Sequence, residues 1–336
     1  MTDQQPRILG LGYTVPPNLR GNDDPIFDWL KAHIPPGGNP FQGYNTRVVL
    51  GPGEDLMTIM LPAALNALQD AKLAPADVDM LLGYASVSPY ANPNELVHLH
   101  QMLHLPQSTY VVSLNNEFSN FNAGLLFADA LIRAGRAKTI LIVIGGNWTK
   151  HVSYRTVQSV SAADGAGAAV VGLSPEATKW RVVDQQALMD TSYFGSMYMQ
   201  GQRYQQQPPK EGQEWLWSEP FFQITPEGMQ GFGKFGGTIA PAAVTTLLAR
   251  NSIPASAVTL IAHQASTVLF EMWQTVLQPA QMIETIANFA NMTIANIPVN
   301  LAWSVANDPI TQNNLVLFSL SPDMHAHALL LQRSSA

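Results

Sequence analysis

The chain has 336 residues, 46% hydrophobic and only 12% charged, against a usual charged share of ~25%, which implies a large core under a sparsely charged surface. A net charge of −7, with 17 scattered Lys and Arg, excludes the clustered cations of a phosphate-binding face, so no nucleic-acid partner is expected. Cysteine is absent, which removes disulfides, thiolate metal sites and thiol nucleophiles together.

No apolar run approaches the ~20 residues that span a bilayer, and the N-terminal Thr2-Asp3-Gln4-Gln5 lacks the basic-then-apolar layout of a signal peptide. No membrane partner and a cytoplasmic location are therefore expected. Leu56, Met60, Ala63, Ala64, Ala67, Leu68 and Ala71 form one stripe at helical spacing, and an apolar run to Ser86 follows as a buried strand. His98, His100 and His104 lie on a stretch that Leu96, Leu99 and Leu103 mark as an amphipathic helix. His100 and His104, four apart, can share a metal on a helix, but no flanking motif supports one and no metal site is assigned. A helix is read over 121–134 and a buried strand over 139–145. Segment 186–237 reads as a loop-rich insertion carrying Trp215, Trp217, Phe221 and Phe222; such long loops are usually functional or disordered. Trp217 and Phe222 either line a substrate pocket or pin the loop to the body. Gly231-Phe232-Gly233-Lys234-Phe235-Gly236-Gly237 lacks the ending of a phosphate-binding loop and reads as a turn. A helix over 243–249, a strand entering 258–266, a helix over 294–305 and a strand over 315–321 complete the order. Asp323, His325 and His327 alternate as on a strand.

The second part repeats the first. At an offset of 180, Val78 meets Val258, Leu81 meets Ile261, and Ala85-Ser86 meets Ala265-Ser266; Thr139–Gly145 meets Leu315–Ser321 at 176. Two matches at nearly one offset imply a duplicated α/β unit rather than chance likeness of generic βα pieces. The halves are set at 1–178 and 179–336, the second holding the insertion.

Local motifs narrow this. Asp164-Gly165-Ala166-Gly167-Ala168-Ala169-Val170-Val171 resembles the "DGAGAAV" segment of β-ketoacyl-acyl-carrier-protein synthase III. His263-Gln264-Ala265-Ser266 resembles that family's "HQAN" motif, and Ala290-Asn291-Met292-Thr293-Ile294-Ala295-Asn296-Ile297-Pro298 its "GNTSAASIP" motif. Ile8 to Asn18 resembles its opening strand and turn, and Asn45-Thr46-Arg47 the end of its "TGIxxR" turn. The resemblance spans the chain in order. It implies a thiolase-like fold of layered αβαβα type, no cofactor, an acyl-CoA or acyl-carrier thioester substrate, and a homodimer or a heterodimer with an active homologue.

In that family a thiol at a helix N-terminus attacks an acyl thioester, and a histidine and an asparagine hold the carbonyl of a malonyl unit as it decarboxylates. Here Asn115-Asn116, Phe121 and Ala128-Asp129-Ala130-Leu131 align without gaps with "NNACAGFxxALxxADAL", which places Phe118 where the cysteine stands, its ring filling the start of the acyl site. Ser119 is either a replacement nucleophile or a helix cap. Glu117 is either a general base raised by desolvation or a first-turn acid favoured by the dipole. Pro322 stands at or beside a glycine that gives an oxyanion N–H in the family; proline has none. Val268 replaces a carrier-docking arginine. Asn92, before Pro93, stands where the family reaches across the dimer, and where relatives with a glutamate base carry Glu. His263 and Asn291 remain, either as buried hydrogen-bonding residues or as a carbonyl-polarising pair. The reading is a condensing-type acyltransferase without a thiol, the alternatives a catalytically silent partner subunit or an acyl-binding or hydrolytic relative.

Overall fold

A computed structural model describes residues 4–90, 92–200 and 221–334. The first half runs β1 (Gln5–Thr14), β2 (Asn18–Gly21), α1 (Asp28–His33), β3 (Thr46–Val49), α2 (Leu56–Ala71), β4 (Met80–Ser86), α3 (Leu96–Met102), β5 (Tyr110–Ser113), α4 (Asn120–Arg133), β6 (Thr139–Asn147) and β7 (Asp164–Ser174). The second runs β8 (Arg181–Met189), β9 (Met197–Gln200), β10 (Phe221–Ile224), α5 (Pro226–Lys234), α6 (Pro241–Arg250) and β11 (Val258–Ala262). It continues through α7 (Thr267–Leu277), β12 (Gln281–Ile283), α8 (Ile286–Phe289), α9 (Asn296–Asn307), β13 (Asn314–Ser321) and β14 (His325–Gln332).

The duplication is visible strand by strand. One five-stranded sheet has the order β1-β7-β6-β4-β5 and the other β8-β14-β13-β11-β12. In each, the first three strands pair antiparallel and the last three parallel. The strands β6 and β13 at the middle are largely apolar because both faces are covered, with Ser319 and Ser321 near the end of β13. Ile140, Ile142 and Ile144 of β6 face Leu315 and Leu317 of β13 in one cluster that also takes Phe121, Leu125 and Ala128 of α4 and Ile297 and Leu301 of α9. The alternate residues Leu141 and Val143 pack on α2 and α3, and Val316 and Phe318 pack on α6 and α7. The layers are therefore helix, sheet, helix, sheet, helix, with α4 and α9 between the sheets.

Local chemistry sets several boundaries. Asp55 caps α2 by accepting from Met57 N and Thr58 N, and Lys72 ends it in the left-handed region at φ 57°. Arg47, fully buried, donates Nε to Val160 O at 2.5 Å and lies over the rings of Phe27, Tyr44 and Phe41, tying the strand β3 to the body through cation–π contacts.

Two expectations need correction. Gly231–Gly237 is not a turn: α5 holds residues through Lys234 and one π-helical turn, Phe235–Ile239, leads toward α6. Gly231, Gly236 and Gly237 sit there for close packing: a Cβ at Gly231 would meet the Tyr193 ring at 2.2 Å, at Gly236 the Leu320 side chain at 2.8 Å and at Gly237 the Met272 side chain at 2.6 Å. Gln186 to Met189 belong to β8, paired to β14, so the departure from the duplicated plan starts after the sheet. Of its aromatic residues, Trp215 and Trp217 lie outside the described residues.

Gly83 is a point of close approach. Its φ is +143°, and a Cβ there would sit 1.8 Å from Val143 O on the neighbouring strand. Gly83→Ala is expected to lower stability by about 2 kcal/mol or more through overpacking of the β4–β6 ladder, read from the urea midpoint; an unchanged midpoint contradicts this.

Candidate active site

The site forms where α4 points its N-terminus at the end of β13. A single 3₁₀ turn, Glu117–Ser119, precedes the helix, with Glu117 at φ 46°. Ser119 is fully buried, and its Oγ shares a hydrogen bond of 2.6 Å with Ser319 Oγ. Asn122 Nδ2 donates to Leu317 O at 3.1 Å. The Phe118 N–H donates to Ser321 Oγ at 3.1 Å. That N–H, at the tip of the helix, is therefore already engaged.

Phe118 lies flat on the imidazole of His263, with ring centroids 4.6 Å apart and planes at 28°. His263 follows β11 and anchors to the neighbouring strand by donating its N–H to Phe318 O at 2.8 Å. The side chain of Asn296, at the start of α9, bridges the two motifs. Its amide donates to Asn291 Oδ1 at 2.7 Å and contacts His263 Nδ1 at 3.1 Å. With Nδ1 accepting, the ring proton resides on Nε2. That Nε2 is buried without a hydrogen-bond partner, a state that costs about 1–3 kcal/mol when nothing fills it. Burial pushes the His263 pKa down from 6.5 to about 3, opposed only weakly by the nearby Thr293 backbone, so the imidazole is neutral at physiological pH. Asn291 Oδ1 also accepts from Thr293 N at 2.8 Å, which leaves the Asn291 NH₂ as the free end of its amide. The arrangement offers two neutral N–H donors from one bridged unit, a pattern able to polarise a carbonyl oxygen.

Gln264 sets the position of the Asn291 loop. It donates Nε2 to Ala290 O at 3.0 Å and accepts from Thr285 N at 2.6 Å and from Asn300 Nδ2 at 2.8 Å. Ala290 has φ 62°, a conformation that favours glycine, which is what the resembling motif carries there. The sequence reading passed over Asn296, Gln264, Ser319 and Ser321. Asn296 stands where the motif has serine, and that departure was the available signal. The two serines declare themselves only through their two-residue spacing on β13, which places them on one sheet face.

The other named residues fall in three places. Glu117 is half-buried beside Phe118; desolvation, then the negative charge of Asp323, raises its carboxyl above the ordinary range. Asn92 is exposed in the loop between β4 and α3 and makes none of the hydrogen bonds of the site. Phe222, on β10, packs edge-on against Trp148 at 6.3 Å in a small separate cluster with Val152 and Ala162. It borders a groove of about 580 Å³ lined by Ser153, Tyr154, Arg155 and the rest of β10. The structure thus brings Glu117, Phe118, Ser119, His263 and Asn291 to one region and leaves Asn92 and Phe222 elsewhere. Val268 is exposed on α7, and His100 Nε2 lies 3.1 Å from Pro106 O. Among the described residues no helix is long and apolar enough to cross a membrane.

Comparison with known proteins sets the chain beside synthase III proteins. Residues 113–190 match the family model of 3-oxoacyl-[acyl-carrier-protein] synthase III. The chain is 25% identical over 324 residues to the β-ketoacyl-[acyl-carrier-protein] synthase III of Allorhizobium ampelinum, covering 92% of this chain and 93% of that one. It is 33% identical over 179 residues to a Streptomyces avermitilis synthase III, about half of either chain. Among solved structures it superposes on the Pseudomonas aeruginosa synthase III, FabH, with TM-score 0.80 and 21% identity over 98% of this chain and 99% of that one. The priming β-ketosynthase of the R1128 polyketide pathway gives 0.81 at 18% identity, covering 100% and 99%. A Xanthomonas campestris OleA variant gives 0.83 at 13%, covering 98% and 97%. The fold is thiolase-like.

The buried histidines make stability depend on pH. His263 near 3 and His327 near 4 bind protons more readily unfolded than folded, so stability falls as pH drops from about 6.5, by about 1 kcal/mol per unit for each group. Asp164, raised to about 6 by burial, contributes with the opposite sign, so the comparison is between variants. His263→Gln is expected to flatten the decline in denaturation midpoint between pH 6.5 and 4; an identical slope contradicts it.

Proposed function

We propose that this chain, a ketosynthase III-like protein of the thiolase fold, acts on acyl thioesters, CoA- or carrier-bound, without forming an acyl-enzyme. The reading keeps the condensing-type half-reaction and gives up the covalent one. His263 Nε2 and the Asn291 amide receive the thioester carbonyl oxygen, and the charge that develops there when a malonyl unit loses CO₂, or when an acceptor attacks directly, is held by these two donors. The observation that carries this is the buried, unpartnered Nε2 of a neutral histidine, bridged by Asn296 to Asn291. Its desolvated N–H gains a partner only when an oxygen arrives.

Ser119 takes no covalent part in this reading, because its hydroxyl is buried and bonded to Ser319. Phe118 closes the place of the nucleophile and packs the imidazole face. A homodimer fits the comparison with synthase III proteins and the exposed edge strand β5, which needs cover of some kind.

The test is release of free CoA and CO₂ from malonyl-CoA, and of free CoA from simple acyl-CoAs offered with acceptor thiols, amines and alcohols. His263→Ala is expected to lower turnover by about 10²–10³, the usual effect of losing one such donor; an unchanged rate overturns the proposal. Intact-protein mass spectrometry is expected to show no acyl adduct on the natural chain. Phe118→Cys is expected to gain one of the mass of a single acyl group, with retention of an adduct on the natural chain counting against the non-covalent reading.

A second reading is favoured by one feature. The ring on His263 and the occupied Phe118 N–H also suit a catalytically silent subunit that shapes the site of an active homologue. Native mass spectrometry separates the two: a homodimer with turnover supports the first, an inert chain that assembles with a cysteine-bearing homologue supports the second.

A further inference from the structure

Beside Phe118, the turn from β13 to β14 presents polar groups that the carbonyl-binding pair does not use. Ser319 pairs with His327 and Ser321 with His325 across the ladder, so all four side chains project from one sheet face. This face receives Ser119 and the Phe118 N–H. His325 and His327 stack with centroids 6.1 Å apart and planes at 17°. Asp323 Oδ1, His325 Nδ1 and His327 Nδ1 are buried there without hydrogen-bond partners. Asp323 and His325 are half-buried and reach solvent, whereas His327 is closed off. Glu117 enters from the helix tip, its carboxyl desolvated and close enough to feel the charge of Asp323. Asp323 is itself raised by burial, with His325 opposing. The remaining titratable neighbours are Tyr84 of β4, raised by burial and by Glu117, His327, and His263 across the Phe118 ring. Among the described residues no lysine or arginine enters this set.

Resting on the function proposed above, we infer that Glu117 is the proton donor of the site, with Asp323 as a positioning residue and His325 returning the proton from solvent. When a malonyl thioester loses CO₂, the bond between its α-carbon and its carboxylate breaks, and the electron pair passes into an enolate whose oxygen sits on His263 and Asn291. With no acyl-enzyme to attack, the enolate carbon takes the proton of the Glu117 carboxyl: a C–H bond forms and the O–H bond breaks. Water then reprotonates Glu117 by way of His325. The sum is malonyl thioester plus one proton giving acetyl thioester plus CO₂, a malonyl-thioester decarboxylase. Asp323 is a positioning residue, because its charge holds the proton on Glu117.

The experiment measures malonyl-CoA decarboxylation against pH. The active form is the acid, so the rate falls as pH rises through the Glu117 pKa. Glu117→Gln is expected to lose about 10²-fold in rate together with that alkaline limb, whereas Glu117→Asp retains the limb. Asp323→Asn removes the like charge and moves the limb to lower pH. A Glu117→Gln rate within threefold of natural (about 0.7 kcal/mol), beside an inactive His263→Ala, overturns this inference and leaves the carbonyl-binding reading standing. A limb unmoved by Asp323→Asn also overturns the role of Asp323. A natural chain that releases no CO₂ from malonyl-CoA overturns this inference, whereas CoA release from simple acyl-CoAs in the presence of acceptors decides the carbonyl-binding reading separately.

Discussion

Three hydrogen bonds carried from α4 and the turn before it into β13 hold the two halves in register: Asn122 on Leu317 O, Ser119 with the Ser319 hydroxyl, and Phe118 N–H on the Ser321 hydroxyl. Their acceptors are two residues apart on one strand, so they climb a single sheet face. The helix belongs to one half and the strand to the other. The height of Phe118 over His263 therefore follows from how the halves dock, and His263 is tied to the same strand through Phe318 O. Within the buried layer of α4 and α9 such bonds are made in a low dielectric, where leaving one end unsatisfied is costly.

Much of the fold was legible because the strands flanking that layer are apolar on both faces. The alternation of Ile140, Ile142 and Ile144 against Leu141 and Val143 is hidden in a continuous run, yet its length and its repetition in 315–321 disclose the duplicated sheet. Segment 231–237 reads as a turn because four of its seven residues are glycine, whereas packing against Tyr193 and α7 makes it helical. Propensity gave way there to tertiary contact.

The site was legible in part. His263 and Asn291 lie in motifs whose spacing survives, so their meeting could be anticipated. The amide of Asn296 that joins them could not, since a side-chain bridge between a strand end and a helix start depends on distances that sequence spacing does not carry. Ser119 shows the reverse. Its residue type suggests a nucleophile, and only its burial against Ser319 shows that the hydroxyl is engaged in the seam. Phe118 unites the two cases: the missing thiol is plain from the sequence, but the stacking of its ring on the imidazole is a fact of packing.

That aromatic face has an environmental consequence. Thiol-dependent condensing enzymes are silenced by peroxide, by alkylating electrophiles and by disulfide exchange, all of which need a sulfur anion. Here the equivalent position is a hydrocarbon ring, and the polar groups around it are imidazole, carboxamide, carboxyl and hydroxyl. Such a centre is indifferent to the reducing poise of its surroundings, and inhibitors that trap an activated cysteine would find nothing to capture.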